Sequence, residues 1–373
     1  MIRETFHIER FFADYEFSTS HLLAVSDCES MTVSDLLELE PGARGSLDEV
    51  WLGYTPSEGG EAIRQAVANT VPGLSPNHVL VHAAGVEVIH TLAHAVLAPG
   101  DHAVVQAPCY QALRSAPAMA GAEVELWRGQ ARDGAWRWDL GELEAAIRPQ
   151  TRLVVINTPH NPTGHQFNLE ALQRIVGMCA ARGVQLFVDE AYRGTQHRPE
   201  DRLPSVTELS DDAAALGLLS KAYGLPGLRL GWLSTGNDDL RDRVARVKDF
   251  TTICAPATAE FLGALALRHS DVLLSRNRAR LLRNREALVV FMERHSHRFA
   301  WEKPRAGSVC FPVVRGGGAE AMCDAVREEA GVLLAPGSLF DGGDGAFRIG
   351  YGRESFVQGL DVFGHWLEGG RST

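Results

Sequence analysis

Lysine is scarce in this chain: Lys221, Lys248 and Lys303 stand against 33 arginines. Arginine carries charge equally well, but only lysine loses its proton readily enough to form a Schiff base with an aldehyde. Lys221 lies between the apolar run Leu216–Leu219 and a Gly-Leu-Pro-Gly loop, in Ser-Lys-Ala-Tyr-Gly-Leu-Pro-Gly-Leu-Arg (220–229). That is an unusual position for a solvated surface lysine.

Three further segments carry what a lysine bound to pyridoxal phosphate (PLP) would need. Asn157-Thr-Pro-His-Asn-Pro-Thr-Gly164 follows the apolar run Leu153–Ile156, and its prolines end that strand in an extended loop. Asn161 there offers both a donor and an acceptor. Asp189 and Tyr192 follow the strand Val184–Val188. A carboxylate at a strand end can hold a pyridinium nitrogen protonated, which makes the ring an electron sink. Arg348, in Phe347-Arg-Ile-Gly-Tyr-Gly352, can grip a carboxylate through two parallel hydrogen bonds. Taken singly, each has a plainer reading: a turn, a helix cap, a surface arginine.

Together and in this order, the segments resemble the class I/II aminotransferases of PLP fold type I, over about Val50 to Gly352. The resemblance implies that Lys221 is the Schiff-base lysine and Asp189 the pyridinium partner. It implies that Asn161 and Tyr192 bind the ring oxygen, with Asn161 also touching the substrate carboxylate. By the same resemblance Arg229 binds phosphate and Arg348 the substrate α-carboxylate. Tyr110 stacks on the ring, while Ser220, Gly85 and Val86 complete the cofactor's surroundings. Tyr54 resembles the tyrosine that reaches the phosphate of a neighbouring subunit, so a homodimer with shared active sites is implied. The segment 220–229 is similar to the capreomycidine-synthase-like branch, and Phe11–Leu37 to aminotransferases found with arginine catabolism.

The chain departs from the family pattern at cofactor-facing loops. Leu218 stands where Ser or Thr is usual, and Ala83-Ala-Gly-Val-Glu87 replaces a hydroxyl-bearing loop. Val86 still presents a backbone N–H at a helix start, where phosphate is favoured. Glu87 either complements the helix dipole or points at the substrate; beside phosphate it would be repelled, which favours the substrate. With Glu29, it would suit a substrate whose side chain is positive or donates hydrogen bonds.

Seven apolar runs must position these residues: His78–His82, His102–Gln106, Glu123–Trp127, Arg152–Ile156, Val184–Val188, Leu216–Leu219 and Leu230–Leu233. They alternate with helical patterns, which predicts an α/β fold whose seven-stranded, mostly parallel sheet lies between helices. Gly85, Tyr110, Asn161, Asp189 and Lys221 all follow strand ends, where such sheets bind ligands. Beyond about residue 256 the pattern turns helical, then shows short strands at Val309–Val314, Val332–Leu334 and Phe347–Ile349. The expected organisation is an N-terminal arm with part of the small domain (1–45), a large PLP domain (46–255) and a smaller α+β domain (256–373).

Composition bounds the rest. With 373 residues, 45% of them hydrophobic, the chain is large enough for two packed lobes. A net charge of −11 argues against a nucleic-acid partner, and the arginines of 276–285 read as a solvated helix face. Six cysteines without a C-x-x-C pair suit a reducing compartment, and no long apolar run suggests a membrane. The expectation is a cytoplasmic PLP enzyme acting on an α-amino acid through a Schiff base and an α-carbanion, with no metal. From that carbanion, transamination, β-elimination (C–S lysis), cyclisation and decarboxylative or oxidative deamination all remain open. A ligand-sensing PLP-binding protein is the alternative of another class.

Overall fold

The computed structural model describes residues 4–369; residues 1–3 and 370–373, the outer ends of the expected arm and small domain, lie outside them. Seven strands form the central sheet: β1 (Val79–His82), β2 (His102–Ala107), β3 (Glu123–Arg128), β4 (Thr151–Asn157), β5 (Gln185–Asp189), β6 (Ala214–Leu218) and β7 (Gly231–Thr235). Their order is β1-β7-β6-β5-β4-β2-β3. Only β7 runs antiparallel to its neighbours. This is the seven-stranded, mostly parallel sheet that the sequence predicts, with a smaller α+β lobe beside it.

The central strands read as unbroken apolar runs because both faces are covered. Neighbouring residues divide between the two sides: Val104, Val154 and Val188 enter one core, Val105, Val155 and Phe187 the other. Strand β3, at the sheet edge, has exposed charged ends at Glu123 and Arg128 instead, which discourages pairing with another chain. Strand β6 begins at Ala214, two residues before the apolar run, since small alanines fill a buried strand that their weak β propensity conceals. Within it, Gly217 leaves room for the indole of its cross-strand partner Trp232; a Cβ there would lie 2.3 Å from that ring.

In the small domain the expected strand Val309–Val314 is two. Pro312 has no N–H for a ladder, so Val309–Cys310 and Val313–Val314 pair with different partners. Three short strands, β8 (Val309–Cys310), β9 (Ala335–Pro336) and β10 (Phe347–Gly350), form an antiparallel sheet in the order β8-β10-β9. The N-terminal segment lies against this lobe. His21–Leu22 pairs with Val332–Leu333, and Gly350 N donates to the Leu23 carbonyl at 2.7 Å. Residues 24–28 then form a strap that crosses to the large domain, where Cys28 N donates to the Lys221 carbonyl. Two glycines admit it: a Cβ at Gly350 would fall 1.6 Å from the Val25 oxygen, and one at Gly352 2.3 Å from that of Asp27.

Candidate active site

The carboxyl ends of β1, β4, β5 and β6 open into one cavity of about 730 Å³, between the sheet, the strap and helix α1 (His7–Tyr15). It brings together Gly85, Val86, Tyr110, Asn161, Asp189, Tyr192, Ser220, Lys221, Arg229 and Arg348. Three expected residues, Glu29, Tyr54 and Glu87, lie elsewhere.

Asp189 ends β5 and is buried, with one carboxylate oxygen accepting from Ala191 N at 2.9 Å. Burial pushes its pKa up to about 6, against the pull of that hydrogen bond and of Lys221. Holding the group ionised at neutral pH therefore costs the fold about 3 kcal/mol, which a cation placed against the carboxylate would offset. The Tyr192 phenol is buried with no hydrogen-bond partner among the described residues. Such a group calls for a ligand atom. Lys221 Nζ donates to Ser26 Oγ at 2.8 Å, and burial holds its pKa below the usual lysine value.

Arg348 is the largest fully buried side chain of the protein. Its Nη1 donates to Asn161 Oδ1 at 2.9 Å, its Nε to the Ala24 carbonyl at 3.1 Å, and its guanidinium lies 4.7 Å from the Phe340 ring centre. Burial lowers its pKa to about 10, so it stays cationic at neutral pH. Asn161 is itself fixed, since its N–H donates to Asn157 Oδ1 at 2.6 Å. Arg348 and Asn161 thus form one rigid unit of donors beside Lys221.

The cavity wall expected to meet a phosphate is mainly backbone and one arginine. Helix α2 (Gly85–Val96) starts at the cavity wall, where its dipole favours an anion. The Leu218 side chain covers Gly85 so closely that a Cβ there would lie 2.6 Å away. Arg229, at φ 48°, and Ser220 line the same end.

The Glu87 carboxylate does not face the cavity. One oxygen accepts from Ala83 N at 2.7 Å and the other from Thr252 N–H and both threonine hydroxyls of the 251–252 turn. It caps its own helix and pins a loop, so the expected substrate contact does not hold in this geometry. Glu29 is likewise engaged elsewhere, by Glu354 N at 2.8 Å and Arg353 at 3.5 Å. Tyr54 is 85% exposed and outside the cavity, on a surface with Trp51, Leu52 and Phe250.

Sequence reasoning missed the residues of the N-terminal arm. Glu9, Arg10 and Glu16 of the arm, with Ser26 and Asp27 of the strap, line the cavity on the side away from the sheet. Tyr110 Oη donates to Glu9 at 2.9 Å, and Asp27 is paired with Arg353 at 2.8 Å. Glu16 has no hydrogen-bond or ion-pair partner among the described residues. Burial and the nearby Asp27 raise its pKa. No periodicity marks these positions; only the close approach of Gly350 and Gly352 to the strap leaves a trace in sequence.

The profile of the aminotransferase class I and II family matches residues 22–357. The chain belongs to that family. Capreomycidine synthase of Streptomyces vinaceus is 30% identical over 352 residues, 92% of this chain and 88% of that protein. The L-aspartate:5-guanidino-3-methyl-2-oxopentanoate transaminase of Pseudomonas syringae pv. syringae is 27% identical over 209 residues, 55% of this chain and 52% of its own. A PLP-dependent aminotransferase from Streptococcus suis superposes with a TM-score of 0.92 at 30% identity, over the whole of both chains. This aminotransferase-family protein is therefore a PLP-dependent enzyme, and the buried Asp189 carboxylate, the partnerless Tyr192 phenol and the Lys221 amine fit that cofactor.

Proposed function

We propose that this enzyme uses Lys221 to carry PLP and to move the α-proton of an amino acid whose side chain is cationic, a guanidinium or an ammonium. When bound, PLP supplies an electrophilic carbon for the amino group and a ring that accepts the electron pair of a broken Cα bond. Asp189 would hold positive charge on the ring nitrogen, and Tyr192 would donate to the ring oxygen. Gly85, Val86, Ser220 and Arg229 would hold the phosphate, with Tyr110 against the ring face. Arg348 and Asn161 bind the α-carboxylate and fix the Cα–H bond in reach of the Lys221 amine, which takes that proton.

The free carboxylate of Glu16 carries the proposal for the side chain. With Asp189, Arg229 and Arg348 assigned as above and Asp27 paired with Arg353, the charges left in the cavity are Glu9, Glu16 and the exposed Arg10. The remaining balance is negative. A dicarboxylic substrate would need a second cation there. The name of the guanidino-oxopentanoate transaminase relative agrees with a guanidino substrate. Aminotransferase-type chemistry is the shared reading.

A scan of amino acids with the purified enzyme, reading products by mass spectrometry, tests this. Arginine-like and ornithine-like substrates are expected to turn over, with aspartate and glutamate far behind. Glu16→Gln is expected to lower kcat/KM for the cationic substrate about 10- to 100-fold through KM, the size of one charge-assisted contact. Because its pKa is raised, that KM is also expected to climb at a higher pH than an ordinary glutamate would give as the solution is acidified. Preferred turnover of dicarboxylic acids would overturn the assignment.

We further propose a homodimer in the cytoplasm. Trp51, Leu52, Tyr54 and Phe250 are each at least 79% exposed, and the 51–54 and 250–255 segments adjoin. That apolar surface suits a second copy of the chain, in which Tyr54 would serve the neighbouring phosphate site. All six cysteines are free, as in a reducing compartment. Among the described residues no helix is long and apolar enough to cross a membrane.

A further inference from the structure

The strap places one hydroxyl where it meets the lysine, and the family resemblance assigns that hydroxyl no role. Ser26 Oγ, 2.8 Å from Lys221 Nζ, is the only hydrogen-bond partner of that amine among the described residues. Ser26 is buried, and three contacts set its backbone: its carbonyl accepts from Ser308 Oγ at 2.6 Å, Asp27 is clamped by Arg353 at 2.8 Å, and Cys28 N donates to the Lys221 carbonyl at 3.3 Å. Ser26 therefore holds the proton-carrying amine from the strap.

We infer that Ser26 is a positioning residue that holds the Lys221 amine whenever it is free, orienting it and setting the pH at which it can accept a proton. The inference rests on Lys221 being the proton carrier of the proposed function. During turnover the neutral amine takes the Cα proton and becomes an ammonium. The ammonium donates to Ser26 Oγ, and no bond within Ser26 breaks. An acceptor at 2.8 Å favours the ammonium over the neutral amine. Other groups face the same amine from every side: Asp27 on the strap, Glu9 on α1 and Asp189 at the end of β5 favour the charged form, while Arg348 on β10 opposes it. Burial opposes it most strongly. Ser26 is the one neutral acceptor among them, so its removal shifts the proton affinity without changing the charge of the site.

The test compares wild type, Ser26→Ala and Ser26→Thr. In the holoenzyme, the acid limb of the kcat profile is expected to move down by about one pH unit in Ser26→Ala, and to stay in place in Ser26→Thr. A second readout is independent of turnover: in protein stripped of PLP, the rate of acylation of Lys221 is followed against pH by peptide mass spectrometry. The same downward shift is expected there, with thermal melting confirming that each variant is folded. Coincident Lys221 profiles for wild type and Ser26→Ala, or an equal shift in Ser26→Thr, would overturn the role. If borohydride fixes PLP to a lysine other than Lys221, the proposed function itself fails, whatever the acylation profile shows.

Discussion

Asp189→Ala is expected to cost two to three orders of magnitude or more in turnover, about what is lost when one preorganised partner of a developing charge is removed. The carboxylate is buried with a pKa near 6, so the fold already bears the cost of keeping it ionised. A cation on the ring nitrogen offsets that cost, and it is also what lets the ring accept electrons from Cα. Removing the carboxylate leaves the nitrogen neutral. Asp189→Asn is expected to behave nearly as badly, since it keeps the shape and loses the charge. The pH dependence follows with a definite sign: as the solution is acidified through about pH 6, wild-type Asp189 takes up a proton and affinity for PLP falls. Tyr192→Phe removes one neutral hydrogen bond, and a loss of about 1 kcal/mol is expected there. Equal and small losses in Asp189→Ala and Tyr192→Phe, measured as kcat, would show that the ring has been placed wrongly.

Lys221→Ala is expected to have no measurable turnover while still binding some PLP, because Arg229, Asp189 and the start of α2 do not depend on the amine. It also provides the partner for a test of the dimer. Tyr54→Ala is expected to be nearly inactive if Tyr54 serves the neighbouring site. Mixing it with Lys221→Ala should restore activity, since a hybrid dimer holds one site with both residues intact. Exchange of subunits without any recovery would refute the shared site, and Tyr54→Ala with wild-type kinetics would refute its role altogether.

The sheet was legible because its strands are buried on both faces, so each appears as an apolar run ending in a polar loop. The residues at those ends, Asn161, Asp189 and Lys221 among them, could be placed at one edge from topology alone. What escaped was the opposite wall. Ser26 and Asp27 reach the cavity only because the strap threads past Gly350 and Gly352, more than 320 residues away along the chain. Ser26, Asp27, Glu9 and Glu16 follow no helical or strand period that points at a ligand. Glu87 was misplaced for a related reason. A carboxylate in the first turn of a helix was recognised, but the Thr251–Thr252 turn that captures it is 164 residues distant. Local pattern carries the framework, whereas long-range contact decides which carboxylates remain free.

Reduction of the holoenzyme with borohydride, followed by peptide mapping, tests the central claim most directly. With three lysines in the chain the result is unambiguous. Lys248 is held by the Ser57 carbonyl at 2.6 Å and Lys303 pairs with Glu286 at 3.2 Å, both outside the cavity. The account predicts one cofactor adduct, on the peptide that carries Lys221. An adduct on Lys248 or Lys303, with Lys221 unmodified, would contradict it.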